Sequence, residues 1–429
     1  MTQGGDFVDI DSRLLDKCHI NKNDEGDRFV GIKADSNNAT VYFPIGYQLP
    51  QTDQEIRRDI LHLISVLAEF TNRADRVLAM KKFDAPQYVD FPINAYMEVI
   101  NYYLEQNAYY TEKEPVFRTS DRGCVDWAKT IRRQRPLIQA DGSPVYTDYT
   151  VRVSSPNDKN LITQIHKYCV YESFQKLGWL FTPDLPPQPT IEKNTKMFLS
   201  VLNDKLARTN NDMDKRLFAA MIALLKYIDE QTNLKQFYFG TDSFEYVWEK
   251  LIDRVFGIKD KQHYFPRTRW KLKGKVKENV ALEPDSVMLY NNQIYVLDAK
   301  YYRYGITGIP NHLPDSSSIN KQITYGEYIY TQKRFKEHYG EDVPVYNAFL
   351  MPYNSQANVF GLSANFANIG EATGDWKGSE HYYERVQGIV IDIRYLMYHF
   401  TGVHKNKIMM LAESIEKALH DNAMETNAQ

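Results

Sequence analysis

The chain has 429 residues, 43% hydrophobic and 25% charged, with a formal net charge of −3. At about 100–200 residues per domain this length implies two or three domains, and a composition in the ordinary globular range excludes disorder and fibrous repeats. The longest unbroken apolar run, Leu217–Leu225, has nine residues, against the ~20 that a membrane-spanning helix needs, so no membrane partner is expected. The opening segment MTQGGDFVDIDSR carries acids where a secretion signal would carry bases, which reads as a cytoplasmic protein. Cys18, Cys124 and Cys169 are too scattered for a disulfide framework or a zinc site.

In chain order, residues 29–48 place two β-prone runs around Ser36-Asn37-Asn38, a hairpin signal. Ile56, Ile60, Leu63, Ile64, Leu67 and Phe70 then recur at helical spacing, as do Ile93, Met97, Ile100 and Tyr103. Further helical patterns cover 158–178 and 192–231. Between them, TPDLPPQPT at 182–190 holds four prolines, which suits a connector. After 240 a helix at 243–256 is followed by β-prone runs at 284–290, 293–301, 343–351 and 386–393, with a helix near 320–337. Strands interleaved with helices predict an α/β domain with a mixed central sheet over 241–429. Before it lie a mainly helical N-terminal domain with a small β hairpin over 1–185, serving partner or DNA recognition, and a helical connector over 186–240.

The segment Pro284-Asp285 to Asp298-Ala299-Lys300 reads as a β-hairpin turning at Asn291-Asn292. Side chains alternate along a strand, so Asp298 and Lys300 share a face, and Asp285 enters from the adjacent strand. Two carboxylates and an ammonium thus converge, the composition that metal-assisted phosphodiester hydrolysis needs: oxygen ligands for Mg²⁺ and a cation to position the attacking water. Upstream, Glu245 and Glu249 lie four apart on one face of an amphipathic helix. Downstream, Gln322 and Tyr325 are three apart on a helix, placed to hold a scissile phosphate or a nearby strand. The Gly/Pro/Ser-rich stretch 305–320 is long enough for a mobile cover.

The order Glu, Pro-Asp, Asp-Ala-Lys, Gln-x-x-Tyr resembles the PD-(D/E)xK nuclease superfamily. With DRGCVDWAKTIRRQRPL at 121–137 and FEYVWEKLIDRVFG at 244–257 it is similar to LlaJI-type restriction endonucleases, on the branch of McrC, from about residue 115 onward. The resemblance implies Mg²⁺-dependent cleavage of foreign double-stranded DNA, with Mn²⁺ able to substitute. It also implies a separate McrB-like AAA+ GTPase partner, and the chain carries no G-x-x-x-x-G-K-[ST] phosphate loop of its own. The expected catalytic set is Asp285, Asp298, Lys300, Glu249, Glu245, Gln322 and Tyr325, and the expected metal set Asp285, Asp298, the Ala299 carbonyl and Glu249. Two other readings remain: a self-sufficient type II enzyme, and a non-catalytic DNA-binding scaffold.

From Lys259 to Lys277 there are eight Lys or Arg against one acid, Asp260. Arg267, Arg269, Lys271, Lys273, Lys275 and Lys277 alternate, so an extended segment would line one face with cations at ~7 Å spacing and bind the DNA backbone. Trp270 would then point the other way, into the core. A second basic cluster, Arg118, Arg122, Lys129, Arg132, Arg133 and Arg135, surrounds Trp127, suited to DNA, to an acidic partner or to plain solvation.

Overall fold

The computed structural model describes residues 14–34, 39–70, 91–182, 184–230 and 237–426. The protein is mixed α/β, in two compact units: Met1–Val89 with Gln236–Gln429, and Asp90–Lys235. This partition differs from the expected boundaries at 185 and 240. The strand Phe237–Thr241 pairs antiparallel with Val30–Ala34, which ties the N-terminal segment to the C-terminal half, and the proline-rich stretch lies inside the other unit.

In the first unit, a five-stranded sheet runs in the order Ser286–Tyr290, Gln293–Ala299, Val345–Tyr353, Val386–Asp392, Phe366–Ala372. The outer pairs are antiparallel and the inner pairs parallel, so the sheet is mixed. Val345–Tyr353 is buried at all nine positions, as a strand covered on both faces must be. Asn291 and Asn292 both adopt positive φ (46° and 61°), the tight two-residue turn that asparagine tolerates.

The four-stranded second sheet orders Cys18–Ile20, Ala39–Phe43, Val30–Ala34 and Phe237–Thr241. Its expected hairpin is present, although the turn at 36–38 lies outside the described residues. The helix Asp53–Phe70 buries Ile56, Ile60, Leu63, Ile64 and Leu67 on the expected stripe. Asp59, also on it and fully buried, is paired with the Arg394 guanidinium at 2.8 and 3.1 Å and accepts the Tyr398 hydroxyl. A buried carboxylate without such partners would be costly.

In the second unit, the helices Ile93–Gln106, Leu161–Leu177, Thr195–Arg208 and Asp212–Glu230 accompany a three-stranded sheet of Lys113–Ser120, Tyr149–Pro156 and Cys124–Val125. Neither long strand is signalled by periodicity, because most of Lys113–Ser120 is exposed. The helical pattern expected over 192–231 is realised as the two helices Thr195–Arg208 and Asp212–Glu230: the chain is extended at Thr209, and the Asn211 side chain accepts from Met213 N (2.9 Å) to start the second. No described helix is long and apolar enough to cross a membrane.

Candidate active site

The helix Phe244–Phe256 forms because Phe244, Val247, Trp248, Leu251, Ile252, Val255 and Phe256 make one buried stripe. The Trp248 indole N–H donates to the Leu350 carbonyl at 3.1 Å, and that oxygen also accepts the Lys300 amide at 2.9 Å. One carbonyl thereby fixes this helix against the end of the strand Gln293–Ala299. Glu249 follows the anchoring tryptophan. Its carboxyl is raised by burial and by Asp298, with Lys300 opposing. Glu245, one turn earlier, is raised by burial and sits in the field of Arg28. The charge of Glu249 in turn raises Asp285.

Asp285 immediately precedes the strand Ser286–Tyr290, and its Oδ2 accepts the Ala299 amide at 2.7 Å. Asp298 Oδ2 is paired with Lys300 Nζ at 2.6 Å, both side chains less than a fifth exposed. Burial, then the charges of Asp298 and Glu249, push the Asp285 carboxyl far above the usual carboxylate range. For Lys300 burial acts downward, but the pairing with Asp298 outweighs it and the net direction is up, so the side chain stays an ammonium. Asp285, Asp298, Lys300 and Glu249 are therefore together at one strand end.

Gln322 and Tyr325 are placed differently from the expectation. Both lie on the helix Ser316–Thr331, yet Gln322 is 1% exposed and donates its amide to the Val296 carbonyl at 2.7 Å. The Tyr325 hydroxyl donates to the Glu283 carbonyl at 3.3 Å, and burial with Asp298 and Asp285 pushes the phenol to about 12. They brace the strand and loop that carry the two aspartates. Gly326 permits this closeness: a Cβ there would lie 2.4 Å from Tyr383 Cβ and 2.7 Å from Asn347 Nδ2.

Nor is the 305–320 stretch a long open cover. It contains the short helix Tyr304–Thr307 and the 3-10 turn Pro310–His312, bridged by Thr307 Oγ1 and His312 Nδ1 at 2.8 Å, and Asp315 caps the next helix at Ser318 N.

Three supports were not legible in the sequence. Lys261 Nζ donates to the Asp285 carbonyl (2.6 Å) and to Asp253 (2.7 Å), so this member of the basic run orients the aspartate's backbone. Asn347 donates to the Gln322 and Tyr383 carbonyls at 2.9 and 2.6 Å. Tyr301 is held by the N-terminal segment: its hydroxyl accepts from Ile45 N at 2.8 Å, Asn23 donates to its carbonyl at 3.1 Å, and Arg303 pairs with Asp24. Of these only Tyr301 and Arg303 stand beside the D-x-K motif in sequence; Lys261 and Asn347 lie 37 and 49 residues from Asp298.

A family model described as LlaJI restriction endonuclease matches residues 29–373. The chain belongs to that family. No curated protein matches it. A chain of the refined half-complex from a tetradecameric assembly of Thermococcus gammatolerans McrB AAA+ hexamers with bound McrC is similar at 15% identity, over 91% of this chain and 83% of that one, with a TM-score of 0.35. A chain of the cryo-EM structure of the Thermococcus gammatolerans McrBC complex is similar at 20% identity, over 53% of this chain and 65% of that one, with a TM-score of 0.23.

In this LlaJI-family chain the basic run is a ribbon, not one extended strand. Arg269–Leu272 and Lys275–Glu278 pair antiparallel about a Lys273-Gly274 turn, with Gly274 at φ +80°. Cross-strand partners share a face, and the register puts Arg269 and Lys271 with Val276 and Glu278 on one side, and Lys275 and Lys277 with Trp270 and Leu272 on the other. The cations therefore occupy both faces, and Trp270 is 62% exposed instead of buried in the core. In the second basic cluster, Lys129 lies over the Phe117 ring and Asp126 caps the helix Trp127–Arg133.

Among the described residues no three His, Cys, Asp or Glu side chains gather closely enough to hold a metal alone. The oxygens that could hold a divalent ion here are those of Asp285 and Asp298 and the Ala299 carbonyl, with Glu249 as the remaining expected ligand. This set fits a hard cation: the lifted Asp285 carboxyl marks a buried concentration of negative charge that such an ion would relieve.

Proposed function

We propose that this protein is the nuclease of a host-defence restriction system, a PD-(D/E)xK endonuclease that hydrolyses phosphodiester bonds of foreign double-stranded DNA with Mg²⁺. The observation that carries the reading is the convergence of Asp285, Asp298, Lys300 and Glu249 at one strand end, within a chain of a restriction endonuclease family. Asp285, Asp298 and the Ala299 carbonyl would hold the ion, and Glu249 stands close enough to bias their protonation. When bound, the ion would supply Lewis acidity toward the phosphate and a more acidic water.

The chain's own groups do the rest. Lys300, kept cationic by Asp298, is not a base; it orients water and offsets charge building on the phosphate oxygens. Asp285 is aimed through both ends, its carboxyl by the Ala299 amide and its carbonyl by Lys261. In hydrolysis the water oxygen bonds to phosphorus, the P–O bond to the leaving strand breaks, and the departing oxygen takes a proton.

The McrC-like resemblance adds a McrB-like AAA+ GTPase that would activate cleavage, with part of the N-terminal half as its docking region. The test is cleavage of plasmid and linear DNA by the purified chain with Mg²⁺ or EDTA, with and without a neighbouring AAA+ GTPase and GTP. Cutting that needs Mg²⁺ and is lost in Asp285→Ala and Asp298→Ala supports the nuclease reading. Metal-independent or variant-insensitive cutting overturns it. Rapid cutting by the chain alone would remove the partner and leave a self-sufficient enzyme.

A further inference from the structure

The ribbon 269–278 is exposed at all eight strand positions, and only at its root do Arg269 and Glu278 line a cavity with Tyr328 and Arg334 of the body. Its root is firm: Asn279 N donates to the Thr268 carbonyl at 2.9 Å, Leu282 N to the Pro266 carbonyl at 2.8 Å, and the Asn279 amide to Thr268 Oγ1 at 2.9 Å. The return leg leads through Glu283 and Pro284 directly into Asp285. A braced arm thus projects from the strand that begins at the candidate active site.

Two features of the arm are unusual together. Trp270 and Leu272 are 62% and 56% exposed on one face, flanked across the ribbon by Lys277 and Lys275. Among the described residues none of the six cations Arg267, Arg269, Lys271, Lys273, Lys275 and Lys277 is in an ion pair, in a chain whose net charge is −3. Unpaired cations on both faces match a polyanion that passes on both sides of the arm. A two-stranded ribbon fits the ~12 Å major groove of B-form DNA, whose walls are two phosphate strands and whose floor offers base edges and thymine methyls. Solvation alone would explain the lysines, but not an indole and a leucine held in water between them.

We propose that the arm 266–282 enters the major groove of duplex DNA, with Trp270 and Leu272 against the base edges and the cations reaching the phosphates on either wall. This rests on the nuclease reading and adds a recognition element to it. Four residues per strand at ~3.3 Å each span roughly 13 Å, about four base pairs, so the arm would read a short stretch next to the cleaved bond.

The experiment uses the full chain in EDTA with a fluorescent 24-base-pair duplex, followed by anisotropy from 50 to 200 mM salt. Replacing Lys275 and Lys277 by Ala should weaken binding and reduce the salt slope by about 2, since each phosphate contact contributes ~0.9. W270A/L272A should weaken binding about tenfold at every salt concentration with the slope unchanged, and should flatten the preference among duplexes of different sequence. The emission difference between wild type and W270F should be quenched by duplex. Thermal melts should match wild type, because both side chains are exposed. Unchanged affinity in W270A/L272A, unquenched Trp270 emission, or tighter binding and stronger quenching by single strands each overturn the groove assignment. Wild type that binds and cuts duplex while ignoring the arm variants defeats this inference alone; wild type that neither binds nor cuts under any condition defeats the nuclease reading with it.

Discussion

Asp285→Asn removes one negative charge from the buried centre while leaving an oxygen to accept the Ala299 amide. The wild-type carboxyl is lifted to about 8 from 3.8, by burial first and then by Asp298 and Glu249. Because the folded value is raised, the folded protein binds more protons than the unfolded chain between about pH 4 and 8. The associated stability is fully present below the ordinary carboxylate range and is lost as pH rises through that window. At ~1.4 kcal/mol per tenfold change, the loss above pH 8 is at most ~6 kcal/mol; local relaxation and sharing with Asp298 reduce the expectation to ~1–3 kcal/mol. In EDTA at pH 9, Asp285→Asn should therefore melt roughly 2–5 °C above wild type, whereas at pH 4 the two should agree. Mg²⁺ at a hundred times its dissociation constant should raise wild-type stability by ~2.7 kcal/mol and the variant far less, and the variant should not cut. Calorimetry at both pH values, with and without Mg²⁺, checks all of this. A variant less stable than wild type at pH 9 in EDTA would refute the electrostatic reasoning, and equal Mg²⁺ stabilisation of both would remove Asp285 from the ion's ligands.

Lys300→Met should fold normally but slow single-turnover cleavage on the order of 10²–10³-fold; a rate within threefold of wild type would show that the ammonium has no part in the reaction. Gly326→Ala should push the Gln322/Tyr325 helix off the sheet at a cost of ~1–3 kcal/mol, seen as a lower denaturant midpoint together with weaker cleavage, and an unchanged midpoint would contradict the close approach. In the second unit, burial depresses His166 to about 3 from 6.5, while its Nδ1 accepts from Tyr110 N at 2.8 Å. Its stabilising contribution is present above the ordinary histidine value and is lost as pH falls from 6.5 toward 3. His166→Phe should accordingly weaken the protein at pH 7.5 yet shrink the loss between pH 6.5 and 4.5; melts showing the same acid dependence in both proteins would exclude the histidine as its source.

The residues of the centre were legible because their logic is local. Strand alternation and a two-asparagine turn place Asp285, Asp298 and Lys300 without any tertiary information. The apolar stripe around Trp248 puts Glu245 and Glu249 on this helix, whose seat against the sheet depends on the carbonyl of Leu350, a contact 102 residues away. Helical spacing correctly put Gln322 and Tyr325 on one side. It could not say that this side faces the sheet, since that depends on Asn347 and on the missing side chain at Gly326. Trp270 was misplaced because alternation was read as one strand over a core, whereas the Lys273-Gly274 turn folds the run back on itself in solvent. The unit boundary was missed for a similar reason: the pairing of Val30–Ala34 with Phe237–Thr241 spans some two hundred residues and leaves no periodic trace.

That long-range pairing bears on how the protein is made. Until Phe237–Thr241 arrives, Val30–Ala34 has one sheet neighbour and presents an unpaired edge. About 200 residues separate the two strands, which at ~5–20 residues per second leaves the edge open on the ribosome for roughly 10–40 s. The closing strand must then seat Gly240 opposite Gly31, where a Cβ on Gly31 would lie 2.1 Å from the Phe239 carbonyl oxygen. The sheet flanked by Asn23, Asp24 and Ile45, the residues that hold Tyr301 and Arg303, is thus finished only after the entire Asp90–Lys235 unit has been synthesised, about 60 residues before Tyr301 itself is made.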